Sequence, residues 1–297
     1  MIETDLRTRL GRTGVWGHLD SLSAPDLRLY ASRVEELGYT ALWVPETVGR
    51  EPFVLATILA EATDSIMIGT SIVNIWGRDA QATRMAALTL QEASAGRFVL
   101  GLGVSHPHLA QKLRGHQFEK PLTRMREYLA AYRSATYKGP IPPAEEPPVL
   151  IAALRERMVD LAGNDADGAL PYLVTPARLR WMRERLDAAG RRPILAIALA
   201  AALDEAGGRD AARAYLGPYL RTPTYPASWA LQGFVDADWQ QPGSDRLVDA
   251  MVAIGDGELI RSRIGELVEA GADHVAIIPL GPDGRTEEIA VLEALTE

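Results

Sequence analysis

One pattern of apolar and polar positions recurs along the chain: an amphipathic helix, a small residue followed by glycine, and then a short apolar run. It occurs at five places, 37-LGYTALWV-44, 95-AGRFVLGLGV-104, 162-AGNDADGAL-170, 189-AGRRPILAIAL-199 and 270-AGADHVAIIPL-280. Glycine takes the left-handed conformation that ends many helices. The continuous apolar run after it is typical of a parallel strand that is covered on both faces. The pattern therefore predicts helices that alternate with parallel strands.

Two of the predicted helices show a clear apolar face. In segment 24–37, Ser23 is the predicted N-cap and Pro25 lies in the first turn. The residues that share the apolar face of this helix are Leu27, Tyr30, Val34 and Leu37. Segment 257–270 has the same stripe at Ile260, Ile264 and Leu267. Both helices are expected to pack on the strands that follow them.

Eight apolar runs of strand length complete the series, with a helical pattern between most neighbours. They are 14-GVWG, 40-TALWV, 66-IMIGT, 98-FVLGLG, 149-VLIAA, 167-DGAL, 194-ILAIAL and 274-HVAII. Eight β/α units in 297 residues favour a closed (β/α)8 barrel, or TIM barrel, over an open doubly wound sheet, which is the alternative. We predict an α/β protein with one barrel domain over residues 1–297.

Two segments are longer than a minimal β/α unit needs. Residues 138-KGPIPPAEEPP-148 are predicted to form a Pro-rich connector before the fifth strand. Residues 204–256 are predicted to form an inserted helical segment. Long insertions at the carboxyl ends of barrel strands usually shape or cover the active site. Packing between subunits is the other interpretation, and the sequence leaves both open.

Composition narrows the function classes. The chain has 31 basic and 39 acidic residues, for a formal net charge of −8, which argues against nucleic acid or an anionic membrane as a partner. It has no cysteine, which excludes disulfides, thiolate ligands and cysteine nucleophiles. Its only lysines, Lys112, Lys120 and Lys138, do not end a predicted strand, so Schiff-base chemistry is not expected. Arginines or backbone amides must therefore hold any anionic ligand.

The chain shows no targeting or membrane segment. Residues 1–13 are charged and lack the apolar core of a signal peptide. The longest apolar stretch, 193-PILAIALAAAL-203, is shorter than the roughly 18 residues of a membrane span. We predict a soluble, cytoplasmic protein that acts on a small molecule, and a homodimer is the expectation from the general frequency of symmetric dimers.

In a (β/α)8 barrel the active site lies where the carboxyl ends of the strands meet the following loops. These ends are predicted at 16–18, 45–47, 71–74, 104–108, 153–157, 171–172 and 279–281. Aromatic residues that can form apolar walls there are Trp16, Trp43, Trp76 and Tyr172, although Trp43 is expected in the core.

Two familiar motifs are incomplete at these ends. The run 101-GLGVSH-106 lacks the third glycine of a dinucleotide-binding loop. His106 and His108 form a His-x-His pair, but a metal site needs further ligands that the other strand ends do not offer. We therefore predict neither a Rossmann site nor a metal site. His108 is expected in an exposed loop, and His106 either in the site or at a helix start.

Glu46 follows the second strand, in 43-WVPETVGR-50. One interpretation is a surface carboxylate paired with Arg50. The other is an acid, a base or a substrate ligand in the barrel mouth. The sequence leaves both open.

Four segments carry a family resemblance that runs over nearly the whole chain. They are 42-LWVPETVGREPF-53, 66-IMIGTSIVNIWGRDAQATRMAALTLQEASAGRFVLGLGVSHP-107, 167-DGALPYLVTP-176 and 271-GADHVAIIP-279. In this order the chain resembles the luciferase-like oxidoreductases, and more narrowly the branch that uses the deazaflavin coenzyme F420. The resemblance implies a luciferase-like barrel with insertions and a cofactor ring across its mouth.

The resemblance also assigns cofactor contacts. It implies a non-prolyl cis peptide bond between Ser71 and Ile72 that supports the ring from behind. It places Val104, Ser105 and His106 against the ring or its side chain. It implies that Glu46 faces the ring and the substrate.

The phosphate loop after the fifth strand departs from the family pattern. Relatives usually run Ala-Leu-Gly-Pro-Arg-Met there, whereas this chain has 153-ALRERM-158. Ala153 and Leu154 keep the pattern, and Arg155 and Glu156 replace the glycine and the proline. Arg155 and Arg157 can bind a phosphate by bidentate hydrogen bonds. Glu156 at the same place repels a dianion.

Three functions follow from these observations. The first is hydride transfer between coenzyme F420 and a small organic substrate, with the substrate's proton handled by Glu46, His106 or Asn74, and with His18 as a further available group. The second is an FMN-dependent luciferase-like monooxygenase. The third is a non-catalytic barrel that has lost cofactor binding, which the departure at Arg155 motivates.

Overall fold

The computed structural model describes residues 6–140, 146–204 and 207–296. Its strands are β1 (Thr13–Trp16), β2 (Ala41–Val44), β3 (Met67–Thr70), β4 (Val73–Asn74), β5 (Phe98–Gly103), β6 (Val149–Ala152), β7 (Gly168–Leu170), β8 (Ile194–Leu203), β9 (Val252–Gly255) and β10 (His274–Pro279). Its helices are α1 (Leu6–Leu10), α2 (Ala24–Glu36), α3 (Pro52–Glu61), α4 (Ala80–Ala93), α5 (Pro121–Ser134), α6 (Glu156–Asp165), α7 (Pro176–Asp187), α8 (Gly208–Leu220), α9 (Thr224–Ala230), α10 (Asp245–Met251), α11 (Gly257–Glu269) and α12 (Ile289–Ala294).

Eight of these strands form a closed parallel barrel in the order β1, β2, β3, β5, β6, β7, β8 and β10. The barrel closes through β10, which pairs with β8 along its whole length and with β1 on its other side. The predicted (β/α)8 barrel is therefore confirmed, and the open doubly wound sheet is excluded.

Two further strands were not predicted. β4 follows β3 after two residues and pairs with the end of β5. β9 pairs in parallel with the second half of β8, at Ala200–Leu203. The segment 204–256 was predicted to be helical, but it holds β9 as well as α8, α9 and α10. The short apolar run 252-VAI-254, in a segment otherwise read as helix, is the signal that was missed.

The apolar core has two parts, separated by the barrel wall. One part lies between the strands and the outer helices and includes Leu42, Leu100 and Ile277. The other fills the barrel interior with the alternate strand residues, among them Trp43 and Met67. Trp43 is 1% exposed and occupies the space beside Gly69, so its predicted core position is confirmed.

The local signals at helix ends are largely confirmed. Ser23 caps α2 by accepting a hydrogen bond from the backbone N–H of Asp26, and Gly38, with φ of 83°, follows this helix as the pattern predicts. Gly163 is the exception, because α6 continues through it to Asp165.

Within the described ranges, no helix is long and apolar enough to cross a membrane. Of the predicted Pro-rich connector 138–148, residues 141–145 lie outside the described residues. The same holds for residues 205–206 at the start of the insertion.

Candidate active site

The carboxyl ends of the barrel strands bring most of the predicted site residues to one mouth. These residues are Trp16 and His18 after β1, Glu46 after β2, Ser71 and Ile72 after β3, Asn74 in β4, Val104 to His106 after β5, and Tyr172 after β7. Two grooves, of about 390 and 630 Å³, lie instead between α6 and α7 and between α3 and α4 on the outer helical layer. Polar and aromatic chemistry, rather than groove size, marks the mouth as the candidate site.

Glu46 is a buried, fully engaged carboxylate with a side chain only 4% exposed. Arg114 donates to its Oε1 at 2.7 Å, and Arg78 donates to both oxygens at 3.1 and 3.2 Å. The backbone N–H of Asn74 donates to Oε2 at 2.8 Å. Of the two interpretations of Glu46, the surface pair with Arg50 is therefore wrong, because Arg50 is bound by Asp20 and Leu22 in the loop after β1.

These bonds tie three loops of the mouth together. Glu46 follows β2, Arg78 follows β4, and Arg114 lies in the long loop after β5. Asn74 is engaged as well, since its Oδ1 accepts from the backbone N–H of Trp76 at 3.0 Å. Their catalytic assignment stays a prediction, and their geometry is that of groups that hold the loops in place.

Three apolar side chains lie at neighbouring strand ends, two of which the resemblance places at the cofactor ring and the third, Leu154, in the phosphate loop. Ile72, Val104 and Leu154, which we call the ring floor, are half-buried at the ends of β3, β5 and β6. The side chain of Ile72 covers Gly103, where an added Cβ would lie 2.5 Å from its Cδ1. The Ser71–Ile72 peptide bond is cis, as the family resemblance implies.

His106 stands where the loop after β5 meets the insertion. Its Nδ1 lies 3.3 Å from Oγ1 of Thr224, at the start of α9, and its ring centroid is 5.4 Å from that of Tyr225. Burial and, to a lesser degree, His108 lower the pKa of His106 to about 4. The imidazole is therefore neutral near pH 7. His108 itself is exposed, as predicted.

His18 is the second imidazole of the mouth. Its ring stands edge-on to Trp16, with centroids 4.7 Å apart. Its backbone N–H donates to Oγ1 of Thr286 at 2.6 Å, whereas neither ring nitrogen has a hydrogen-bond partner among the described residues. Burial lowers the pKa of His18, and Asp20 opposes this shift.

Five rings are in successive contact, and we call them the aromatic belt: His18, Trp16, Tyr172, Tyr225 and His106, of which Trp16 and Tyr225 are buried. Trp16 stacks on Tyr172 at 6.1 Å, and Tyr172 meets Tyr225 edge-on at 6.0 Å. Tyr219 of α8 packs behind the belt, and Tyr172 donates to its hydroxyl at 3.3 Å. The belt joins β1, β7, β5 and the insertion.

Sequence reasoning missed Tyr219 and Tyr225, because no strand end predicts them. The available signal was the concentration of aromatic residues in 217-GPYLRTPTYPASW-229. Of the two interpretations of segment 204–256, the contacts of Thr224 and Tyr225 with His106 favour a role at the mouth.

The predicted phosphate loop lies at the start of α6. Arg155 is its N-cap residue and makes no side-chain cap, and both Arg155 and Arg157 are exposed. The carboxylate of Glu156 is held by Arg185 at 2.7 Å. The loop therefore exposes the guanidinium groups of Arg155 and Arg157, and its Glu156 is ion-paired with Arg185 of α7.

The opposite end of the barrel holds a fully buried histidine at the start of β10. His274 Nε2 accepts from Nε1 of Trp43 at 3.0 Å, and its Nδ1 lies 3.0 Å from the carbonyl of Gly11. Burial lowers the pKa of His274 to about 4. In the described part of the chain, no group of three or more His, Asp or Glu side chains is arranged to hold a metal ion.

Residues 9–274 match the family model of the luciferase-like monooxygenases. Over 209 residues the chain is 29% identical to a Mycobacterium tuberculosis protein that is provisionally named a coenzyme F420-dependent oxidoreductase. That alignment covers 61% of this chain and 59% of the relative, so the matched region spans less than two thirds of the relative's length.

Two solved structures share the fold at low sequence identity. An F420-dependent secondary alcohol dehydrogenase in complex with an F420–acetone adduct has a TM-score of 0.77 at 16% identity, over 96% of this chain and 97% of that one. The oxygenating constituent of the Pseudomonas putida 3,6-diketocamphane monooxygenase, in complex with FMN, has a TM-score of 0.72 at 16% identity. That match covers 96% of this chain and 95% of the other.

Proposed function

The chain belongs to the luciferase-like monooxygenase family, and we propose that it is an F420-dependent oxidoreductase that moves a hydride to or from a small organic substrate. The observation that carries the proposal is the apolar ring floor at the barrel mouth with two exposed arginines beside it. A relative named for F420 supports the same cofactor.

The ring floor fits a flat, uncharged ring system. Ile72, Val104 and Leu154 leave apolar surface half exposed at neighbouring strand ends, and covering such surface is favourable. We propose that Ser71 and Ile72 support the ring from below and that Val104, Ser105 and His106 border it. Bound F420 supplies the hydride chemistry, and the protein supplies orientation and electrostatics.

The start of α6 fits an anionic tail, which we propose is held beyond Ala153 and Leu154. Arg155 and Arg157 offer guanidinium groups suited to phosphate and carboxylate oxygens. Glu156 opposes a second negative charge at the same helix end, even though Arg185 engages its carboxylate.

This charge arrangement favours F420 over FMN. The phosphate of FMN is a monoester that carries close to two negative charges near neutral pH, as a phosphorylated side chain does. The phosphate of F420 is a diester and carries one. Repulsion by Glu156 therefore costs FMN more, and Arg155 and Arg157 remain available for the carboxylates of the F420 tail.

The chain's own residues have distinct proposed tasks at the mouth. Glu46 and Asn74 hold the loops, because both carboxylate oxygens of Glu46 and the Oδ1 of Asn74 already have partners. His106, neutral near pH 7, donates or accepts a hydrogen bond beside the ring through the nitrogen that Thr224 does not engage. The aromatic belt limits the access of water.

Fluorescence titration tests the cofactor. We expect saturable binding of oxidised F420 at micromolar concentrations and weaker binding of FMN. Glu156→Gln should strengthen FMN binding by a larger factor than F420 binding, whereas Glu184→Gln, an exposed change on α7, should alter neither. Absence of F420 binding up to high micromolar concentrations contradicts the proposal, and tight binding of FMN alone favours the monooxygenase.

A further inference from the structure

Helix α7 presents three long side chains to the start of α6. Arg178, Trp181 and Arg185 follow one another at spacings of three and four residues, so they share one face of α7. The guanidinium groups of Arg178 and Arg185 lie over the Trp181 ring, 3.6 and 5.6 Å from its centroid. Cation–π contacts of this kind are favourable and keep the arginine side chains near the ring. We call these three residues the α7 clamp.

Arg185 is anchored on α6 through a second carboxylate. Its Nε and Nη2 donate to the two carboxylate oxygens of Asp160 at 2.5 and 2.9 Å, which is the two-point geometry that arginine and carboxylate favour. The same Nη2 lies 2.7 Å from Oε1 of Glu156, one helical turn closer to the start of α6. Asp160 therefore sets the position of the guanidinium group that binds Glu156.

The carboxylate of Glu156 depends on Arg185 for its position. It is 64% exposed, and Arg185 is its one ion-pair or hydrogen-bond partner among the described residues. Its neighbours Arg155 and Arg157 are exposed, and in the same part of the chain neither guanidinium group has a partner. A carboxylate released from Arg185 would be free to pair with one of these arginines, at the place where we propose that an anion binds.

The α7 clamp also holds the residue on the other side of Arg155. Nη2 of Arg178 donates to the carbonyl of Leu154 at 2.9 Å. Leu154 is therefore bound to α7 through its carbonyl, and Glu156 through its carboxylate. Within residues 154–157, the two charges that remain without a partner are those of Arg155 and Arg157.

Stability does not explain the contact between Arg185 and Glu156. Exposed ion pairs contribute little to the free energy of unfolding, because water screens the charges and the side chains lose freedom. Such charges still act on a third charge nearby, since a unit charge about 4 Å away changes the affinity for an anion about fivefold even in water. The contact therefore bears on what the loop binds.

Resting on the proposed function, we propose that Arg185 is the positioning residue of the phosphate loop. It holds the Glu156 carboxylate on the side of α7, so that Arg155 and Arg157 are free to bind the singly charged phosphodiester of F420. Trp181 keeps Arg185 in place for this contact, and Arg178 fixes the backbone before the loop.

A double-mutant cycle tests this role through F420 affinity, measured by fluorescence titration. Arg185→Gln should weaken F420 binding about tenfold, because the released Glu156 competes for Arg155 and Arg157. In the Glu156→Gln background the same change should weaken F420 binding less than about twofold, since no carboxylate remains to be held. Arg185→Lys, which keeps the positive charge, should retain most of the affinity.

Arg180→Gln is the matched control for this cycle. Arg180 is an exposed arginine of the same helix and has no carboxylate partner among the described residues. Its substitution should change F420 affinity by the same small factor with and without Glu156. Equal factors for Arg185→Gln in the two backgrounds would show a long-range charge effect or a loss of structure, and would overturn the role of Arg185.

A deazaflavin without the phosphate separates the anionic tail from the ring. We expect its affinity to be the same in the wild type and in Arg185→Gln, because the ring does not reach the charges of the loop. If Arg185→Gln weakens this compound and F420 by the same factor, the substitution has altered the ring floor and the assigned role is wrong.

Inorganic phosphate tests the loop without any cofactor. In 1H–15N spectra we expect phosphate to shift the backbone amide resonances of residues 155–157. Arg185→Gln should weaken this binding in the wild type and leave it nearly unchanged in the Glu156→Gln background. The role of Arg185 is refuted if phosphate shifts none of these resonances, or if binding weakens equally in both backgrounds.

The F420 and phosphate measurements distinguish this inference from the proposed function. A protein that binds F420 with equal factors in both backgrounds keeps its proposed function and loses the role of Arg185. A protein that shows the expected phosphate cycle but binds no F420 keeps the role of Arg185 and loses the proposed function.

Discussion

At the scale of single residues, Glu46 has the densest set of partners at the mouth. Both arginines that it binds are themselves mostly buried, so removing the carboxylate leaves Arg114 without an acidic partner and leaves Arg78 only its pair with Glu51. We expect Glu46→Ala to lower the free energy of unfolding by about 3–5 kcal/mol, measured by urea denaturation.

Glu51 provides the control for this prediction. It binds the same Arg78, but its side chain is 45% exposed, and exposed pairs contribute about 0–1 kcal/mol. Its carboxylate also caps α3 by accepting from the backbone N–H of Val54 at 2.8 Å, which adds about 1 kcal/mol. A stability loss in Glu46→Ala no larger than that in Glu51→Ala would contradict the role assigned to Glu46.

His274 makes stability depend on pH. Its pKa of about 4 in the folded protein lies below the unfolded value of 6.5, so the unfolded chain binds the proton more readily. The stabilisation is complete above pH 6.5 and is lost as the pH falls toward 4. We expect the free energy of unfolding to drop by about 2 kcal/mol between pH 7 and pH 5 through this residue.

Denaturation of His274→Gln at both pH values checks this. The variant should lose that share of the pH dependence, and exposed His116→Gln should keep it. An NMR titration of the His274 ring gives the same answer without substitution, and a pKa near 6.5 would refute it.

At the scale of elements, the insertion is anchored by Trp229 of α9. This side chain is 0% exposed, and its Nε1 donates to the carbonyl of Leu173 at 3.2 Å. We expect Trp229→Ala to cost about 3–5 kcal/mol and to raise hydrogen exchange in residues 208–251. Leu231→Ala, an exposed neighbour, is the control. A uniform loss of protection in the barrel strands would argue against a locally anchored insertion.

Helices and strands could be predicted from the sequence where a local signal, such as a capping residue or an apolar run, determines the element. Ser23, Gly38 and the apolar runs mark helix starts, helix ends and strands by chain conformation alone, and the barrel follows from their alternation. β9 was missed because its pairing with the second half of β8 depends on tertiary contacts. Gly163 does not end its helix, because a glycine can also lie buried inside a helix, and the sequence does not distinguish the two positions.

The candidate site was predictable in position but not in partners. The strand ends located Glu46 and His106 at the mouth. Their hydrogen bonds come from Arg114, 68 residues beyond Glu46, and from Thr224, 118 residues beyond His106. Partners so far apart in the sequence leave no local signal. The hydrogen-bond partners of Glu46 and His106 could therefore be identified only from the structure.

At the scale of the whole molecule, a buried ion-pair cluster lies at the base of the barrel, opposite the mouth where we propose that the ligand binds. Asp273, 6% exposed, precedes β10 at the base and accepts from Arg7 of α1 at 2.9 Å and from Arg183 of α7 at 3.1 Å. It also binds the backbone N–H of Leu195 at 2.9 Å. This residue joins three elements where the barrel closes.

We expect Asp273→Ala to lower the free energy of unfolding by about 3–5 kcal/mol while F420 affinity, measured well below the melting temperature, changes less than twofold. Asp283→Ala, in the exposed loop after β10, is the control for stability. A large loss of F420 affinity in Asp273→Ala would show that the two ends are coupled.

The origin of the belt within the chain has an evolutionary consequence. Tyr225 and Tyr219 belong to one uninterrupted stretch between β8, which ends at Leu203, and β9, which begins at Val252, whereas the ring floor is drawn from the ends of three separate strands. Recombination of that single stretch between related genes would exchange Tyr219 and Tyr225 and leave Trp16, Tyr172 and the ring floor untouched. Inheriting one segment is then enough to change this part of the mouth without rebuilding the barrel.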